Sequence, residues 1–322
     1  MIDDVSITIR LGRAPSARLN NTYDMIEGAC VAMVMIGQRA DRRVYGKDGT
    51  MLRERKVLAG SVSLNCVSAA EVGPSLLLLH GFTNRWQTWL PIMPSLALRW
   101  QLHALDLRGY GASDRTPDAY RITDYADDVV AVLQREIGAP TVIIGHSLGA
   151  IIATAVAARA PELVRAVVLE DPPLAAFRHE RLRERPEHAG FLALHDLARE
   201  KRSPDDLLAV LSARRPELDC AAARAWATAI GALDPDVLTL VVEDRAKVGY
   251  DQDTCLRQIT APTLLLQGEP SLGGALSDGD ALRAAGLLGY GTHVKLPHVG
   301  HGIHTADPAG FCRIVHDFLE TI

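Results

Sequence analysis

No apolar stretch near the start of this 322-residue chain is long enough to cross a bilayer. The longest there, "ACVAMVMIG" from Ala29 to Gly37, stops well short of a membrane span. It follows Asp24 and Glu27 instead of a basic segment, so no signal peptide and no membrane span are expected. A basic tract is also missing: the net charge is −5, with both signs mixed along the chain, and nucleic acid is not an expected partner. The five cysteines, Cys30, Cys66, Cys220, Cys255 and Cys312, are odd in number and contain no C-x-x-C pair. That pattern excludes a zinc or disulfide framework and fits a reducing, cytoplasmic setting. Repeats and low-complexity tracts are absent, which sets solenoids and disordered chains aside.

What is present is apolar substance: 48% of the residues are hydrophobic, enough for one large domain with an ample core. From about Lys56, short β-rich runs alternate with helix-length segments, the signature of an α/β domain with a mostly parallel central sheet flanked by helices. "VLAGSVSLNCVSA" reads as an opening strand pair, and "SLLLLH", "QLHALDL", "TVIIGH", "AVVLED", "TLLLQG" and "HVKLP" as later strands. Runs apolar throughout belong to strands covered on both faces. "ITDYADDVVAVLQREIG" is expected to be a helix capped by Thr123 and stopped at Gly138. Between about Pro172 and Ile259 the alternation gives way to helical patterns alone, so the chain divides into an N-terminal extension (1–56), an α/β core (57–171 and 260–322) and a helical cap inserted between its halves (172–259). The arginines from Arg178 to Arg202 read as a solvated helix face. Three roles are open to the extension: an arm for homo-oligomer contacts, an added strand, or a leader.

"TVIIGHSLGA" sets Gly145-His146-Ser147-Leu148-Gly149 between an apolar strand and an Ala-rich helix, the context of a G-x-S-x-G nucleophile elbow. The small flanking residues would let strand and helix approach closely and hold Ser147 on a sharp turn. With "LLLLHGF", "LDLRGYGASD" and "LPHVGHGIH" in the same order, the chain from about Ser61 to Ile322 resembles the α/β-hydrolase superfamily. The resemblance implies an oxyanion hole from the backbone N–H groups of Phe82 and Leu148. It also implies a hydrogen-bonded structural loop around Asp106, Arg108 and Ser113, and His301 as the base, with His298 and His304 tuning the site or facing solvent. Three histidines at spacing three also invite a metal, but no acidic motif accompanies them and neither metal nor cofactor is expected.

In much of this superfamily the acid that orients the histidine follows the strand represented by "TLLLQG". Three residues past Gly268 the chain carries Ser271. The superfamily's second location, the end of the strand after the elbow helix, is "AVVLEDPPL" here, and it points to Asp171, with Glu170, Glu269 and Asp278 as alternatives. Period-two alternation sends Glu170 and Asp171 to opposite faces, so only one should meet His301. Pro172 is expected to keep Asp171 extended.

The implied activity is a cofactor-independent serine hydrolase that opens a small apolar carboxylic ester or lactone through an acyl-enzyme. A carbon–carbon hydrolase, an amidase or a haloperoxidase-type enzyme would use the same residues, and a ligand-binding protein on the same fold is the alternative of another class. "EDPP" with "GGALSD" resembles bacterial lactonases that open the macrolactone zearalenone. Thr83, Trp86, Phe177 and Trp226 are the candidate pocket residues, with Asn84, Trp89 and Phe191 beside them.

Overall fold

The apolar runs become strands whose alternate side chains enter two separate cores. In the computed structural model, which describes residues 25–26, 29–30, 41–45, 51–70, 72–178, 182–185, 187–214 and 219–322, nine strands form one sheet. A two-residue pair, β1 (Met25–Ile26) and β2 (Ala29–Cys30), stands apart from it. The large sheet contains β3 (Asp41–Tyr45), β4 (Met51–Ala59), β5 (Val62–Ala69), β6 (Ser75–Leu79) and β7 (Gln101–Asp106). Then come β8 (Thr141–His146), β9 (Val164–Glu170), β10 (Thr263–Gly268) and β11 (Gly291–Leu296). Their order across the sheet is β3-β4-β5-β7-β6-β8-β9-β10-β11, antiparallel from β3 to β7 and parallel from β7 to β11.

Along β6, Leu77 and Leu79 face one core while Leu76 and Leu78 face the other. β9 repeats the pattern, with Val167 and Leu169 opposed to Ala166 and Val168. Each fully buried leucine contributes about 1.5–3 kcal/mol of transfer free energy, so both faces must be covered for such runs to be stable. One face receives α2 (Ile122–Val132) and α3 (Leu148–Arg159); the other receives α1 (Met93–Ala97) with Trp86, Trp89 and Trp100.

Three expectations change. The large sheet already includes β3 (Asp41–Tyr45), the added strand that was one of the roles open to the extension, and the extension's boundary at residue 56 falls inside β4. The cap consists of α4 (Glu187–Arg199), α5 (Pro204–Arg214), α6 (Cys220–Gly231) and α7 (Pro235–Val242), with α4 packed on α7 and α5 on α6. The next helix, α8 (Gln252–Gln258), lies within the range expected for the cap, yet it packs on α3 with Leu256 buried in the core. Thr123 does not cap α2: the Asp124 carboxylate accepts the Arg121 N–H at 2.8 Å, and Thr123 lies inside the first turn. The stop at Gly138 stands, with φ +70°. Among the cap's arginines, Arg178 pairs with Asp280, Arg183 with Asp244 and Arg185 with Glu187.

α9 (Asp278–Leu287), α10 (Ile303–Ala306) and α11 (Pro308–Leu319) complete the chain. Among the described residues no single helix is long and apolar enough to cross a membrane. Because β6 lies between β7 and β8, the connections leave it on both sides, and the crevice at its carboxyl end is where such sheets bind ligands.

Candidate active site

Ser147 occupies that crevice at the end of β8, with φ +53° and ψ −114°, a backbone conformation that side-chain-bearing residues rarely adopt. Its neighbours explain how the strain is accommodated. A Cβ at Gly149 would overlap the Leu79 carbonyl, and one at Gly145 would overlap the Gly149 carbonyl, so only glycine lets α3 leave β8 at this angle. The Ser147 N–H donates to the Glu170 carbonyl at 2.9 Å, pinning the elbow to β9. Leu148 opens α3, and N–H groups in a helix's first turn have no acceptor within the helix.

The turn after β6 passes directly over this elbow. A Cβ built on Gly81 would stand 3.0 Å from Ser147 Cβ and 2.8 Å from His146 Nδ1. His80 anchors the turn from below: its Nδ1–H donates to the Gly81 carbonyl at 2.8 Å, and its Nε2 accepts the Leu107 N–H at 3.1 Å. Those two partners require the neutral ring, and burial lowers the pKa of His80 accordingly. Thr83 follows at φ +53°.

Consecutive carboxylates at the end of β9 each meet a different histidine. His301 Nδ1–H donates to Asp171 Oδ2 at 2.6 Å, with Asp171 fully buried and His301 about one third exposed. Asp171 also accepts the Gly268 N–H at 3.0 Å and the Ala275 N–H at 2.7 Å. Its φ is +42°, so Pro172 does not keep it extended as expected. The left-handed turn, which aspartate tolerates better than most residues, points the carboxylate back between β10 and the histidine loop, where three N–H donors fix it. Glu170 points to the other face and accepts the His304 N–H at 2.9 Å and its Nδ1–H at 2.8 Å. Burial alone would raise the Glu170 carboxyl, but the His304 ring beside it and the hydrogen bonds His304 gives hold the group below the ordinary carboxylate value.

The remaining candidates fall outside this cluster. Glu269 accepts from the Ser271 N–H and hydroxyl and pairs with Lys295 at 3.1 Å; Asp278 pairs with Lys295 at 2.8 Å. His298 faces Asp307 at 3.0 Å and is mostly exposed. The three histidines thus engage three separate carboxylates, and among the described residues no group of three or more His, Cys, Asp or Glu is arranged to hold a metal. Asp106 accepts the Trp86 N–H, the Ala112 N–H and the Asn65 amide; Ser113 donates to the Asp106 carbonyl; and Arg108 forms a two-pronged pair with Asp128.

Sequence reasoning did not single out His146 or the Glu170–His304 pair. His146 Nε2–H donates to the His301 carbonyl at 3.0 Å, and the two rings lie 4.6 Å apart. Burial lowers its pKa to about 3, so it is neutral beside the base. The spacing of His301 and His304 matched to adjacent Glu170 and Asp171 was the signal available.

Beside the turn after β6, Phe82, Ala176, Phe177, Phe191, Val241, Asp244, Ala246 and Lys247 line a half-open pocket of about 20 Å³ where cap meets core. Phe177 is one of the rings lining this pocket. Thr83 and Trp226 are joined by a hydrogen bond at 2.9 Å. Trp86 is a correction: its ring is buried in the core on the face of α1, together with Trp89, because its backbone is drawn down onto Asp106. A larger groove of about 560 Å³, lined in part by Arg53, Gln101 and His103, involves the beginning of β7, at the end of the strand away from the elbow.

Comparison with known proteins agrees with this architecture. The family model described as the alpha/beta hydrolase fold matches residues 74–305. The 2-(acetamidomethylene)succinate hydrolase of Mesorhizobium japonicum is 31% identical over 274 residues, covering 83% of this chain and 95% of that protein. The pyrrolizixenacetamide deacetylase of Xenorhabdus hominickii is 26% identical, covering 82% and 97%. A crystal structure of E-2-(acetamidomethylene)succinate hydrolase superposes with a TM-score of 0.68 at 24% identity, over 83% of this chain and 98% of that one, a likeness of fold.

Proposed function

The chain belongs to the α/β-hydrolase family and is a hydrolase, and we propose that it is a cofactor-independent serine hydrolase acting on a small apolar carboxylic ester or lactone. The observation that carries this reading is the strained Ser147 elbow beside a 2.6 Å Asp171–His301 pair at the carboxyl ends of neighbouring strands. With Nδ1–H committed to Asp171, His301 keeps Nε2 for the proton of Ser147. Ser147 Oγ bonds to the substrate's carbonyl carbon as Nε2 takes that proton. The carbonyl oxygen becomes an oxyanion facing the Phe82 and Leu148 N–H groups, each such donor contributing about 3–4 kcal/mol in the transition state. Collapse breaks the bond to the leaving oxygen, which takes the proton from His301 and departs as an alcohol. Water then gives a proton to His301 and its oxygen to the acyl carbon; the bond to Ser147 Oγ breaks, Oγ takes the proton back from His301, and the acid is released. Asp171 stabilises the imidazolium in both halves and keeps its tautomer.

Serine at the elbow supports an acyl-enzyme over the alkyl-enzyme esters of epoxide hydrolases and haloalkane dehalogenases, which need a carboxylate there. The cavity lined by Phe82, Phe177, Phe191 and Val241 supports an apolar acyl portion. Amide hydrolysis is the second reading, favoured by two full-length relatives named for acetamido-bearing substrates. In that case His301 protonates a leaving nitrogen.

A panel of p-nitrophenyl esters, lactones and N-acetyl amides tests the choice. Wild type should release p-nitrophenol in a burst that Ser147→Ala abolishes, and Asp171→Asn should lower kcat by about 10⁴-fold. Amide turnover exceeding ester turnover would select the second reading. Inertness to the whole panel and to serine-directed phosphonates would sink both.

A further inference from the structure

We propose that Thr83 and Trp226 are positioning residues that lock the oxyanion turn to the cap, an inference that rests on the serine-hydrolase reading above. Thr83 is β-branched, buried and held at φ +53°, where such residues are outliers unless their surroundings enforce the conformation. Two hydrogen bonds enforce it. Its hydroxyl donates to the Phe82 carbonyl at 2.8 Å, and the same oxygen accepts the Trp226 indole N–H at 2.9 Å. An indole nitrogen can only donate and a hydroxyl has one proton, so the direction is fixed: Trp226 to Thr83 to the Phe82 carbonyl.

Trp226 lies on α6, 143 residues from Thr83 in sequence, so the relay runs from the cap into the turn that carries the Phe82 N–H. A second cap contact acts on the same residue: the Phe191 ring on α4 meets the Phe82 ring edge-on at 5.6 Å. Together they brace the oxyanion turn against two cap helices, beside a small apolar pocket lined by Phe82, Phe177 and Phe191. The Phe82 N–H then points at the developing oxyanion only while α6 is seated. Binding energy from an apolar portion of the substrate seated against Phe82 and Phe191 is thereby expressed in the transition state and not only in affinity.

A packing role for Trp226 would be met by any ring of its size, whereas the relay needs the indole N–H. The experiment compares Trp226→Phe, Thr83→Val, Thr83→Ser and the Trp226→Phe/Thr83→Val double variant. For each, kcat and KM for p-nitrophenyl acetate, the rate of Ser147 phosphonylation by a p-nitrophenyl phosphonate, and the melting temperature are measured. The relay predicts that Trp226→Phe and Thr83→Val each lower kcat and the phosphonylation rate by about 10- to 100-fold, with KM changed far less. The double variant should lose no more than the worse single one, since both break one chain of bonds. Thr83→Ser, which keeps the hydroxyl, should recover what Thr83→Val loses. If Thr83→Val fails to fold, Trp226→Phe and Thr83→Ser still carry the test. Wild-type phosphonylation matched by Trp226→Phe, or losses that multiply in the double variant, would overturn the relay alone. A wild-type protein that is not phosphonylated on Ser147 would overturn the serine-hydrolase reading and the relay with it.

Discussion

Buried histidines give this protein a dependence on pH that is separate from its chemistry. Burial lowers the pKa of His146 to about 3 and of His103 to about 4, against an ordinary value of 6.5, and lowers that of His80 as well. Between the folded and unfolded values the unfolded chain binds protons that the folded chain refuses, so stability rises with pH across that window. The contribution is fully present above about pH 6.5 and is lost as pH falls toward 4 and then 3, at up to about 1.4 kcal/mol per pH unit for each histidine. Urea unfolding followed from pH 7 to pH 4.5 should show a steadily falling midpoint. His103→Gln, remote from the elbow, should flatten the slope; a midpoint independent of pH over this range would contradict the assignment.

The turn from Gly268 to Ala275 does different work from the one its position in the superfamily implies. Its backbone N–H groups at Gly268 and Ala275 wrap the carboxylate of Asp171, while Ser271 turns outward onto Glu269. The strand end that would carry an acid in many relatives here supplies the donors that hold an acid from the neighbouring strand. An aspartate introduced at Ser271 should therefore fail to restore activity to Asp171→Asn. Assays of Asp171→Asn and of Asp171→Asn/Ser271→Asp should give rates within about threefold of each other, far below wild type, because restoring the base needs a carboxylate at its Nδ1. A hundredfold recovery would mean that the turn can still present an acid. The pairing of Asp171 with one histidine and Glu170 with another was foreshadowed by period-two alternation. The left-handed turn at Asp171 was not legible, since the following proline argues for an extended residue and only the surrounding donors override it.

Cap and core meet beside the turn after β6 with aromatic rings from both parts, Phe82 from the core and Phe177 and Phe191 from the cap. Acyl-chain preference is thus a property of the whole assembly. Phe191→Ala should open the cavity toward α4 and raise the ratio of kcat/KM for p-nitrophenyl hexanoate over acetate by about tenfold, as added methylenes find apolar surface. An unchanged ratio would move the acyl site elsewhere. Trp86 and α8 mark the limits of reading such an assembly from pattern. Both carry the apolar spacing of a pocket wall or a cap helix, yet one is buried on the opposite face of the sheet and the other packs against α3. Periodicity reports that a face is apolar, not which neighbour covers it.

The order of strands and helices, the elbow at Ser147, the histidine loop and the pair of carboxylates at the end of β9 follow from the sequence alone. Each is a local matter: apolar periodicity, glycines where backbones must touch, and residues adjacent along the chain. The left-handed turn that brings Asp171 onto His301, the pairing of Glu170 with His304, which rings line the pocket, and how Trp226 reaches Thr83 were decided only by the tertiary structure. Those contacts join residues on the order of a hundred positions apart, and no local pattern encodes the distance between two strands' ends or the seating of a cap.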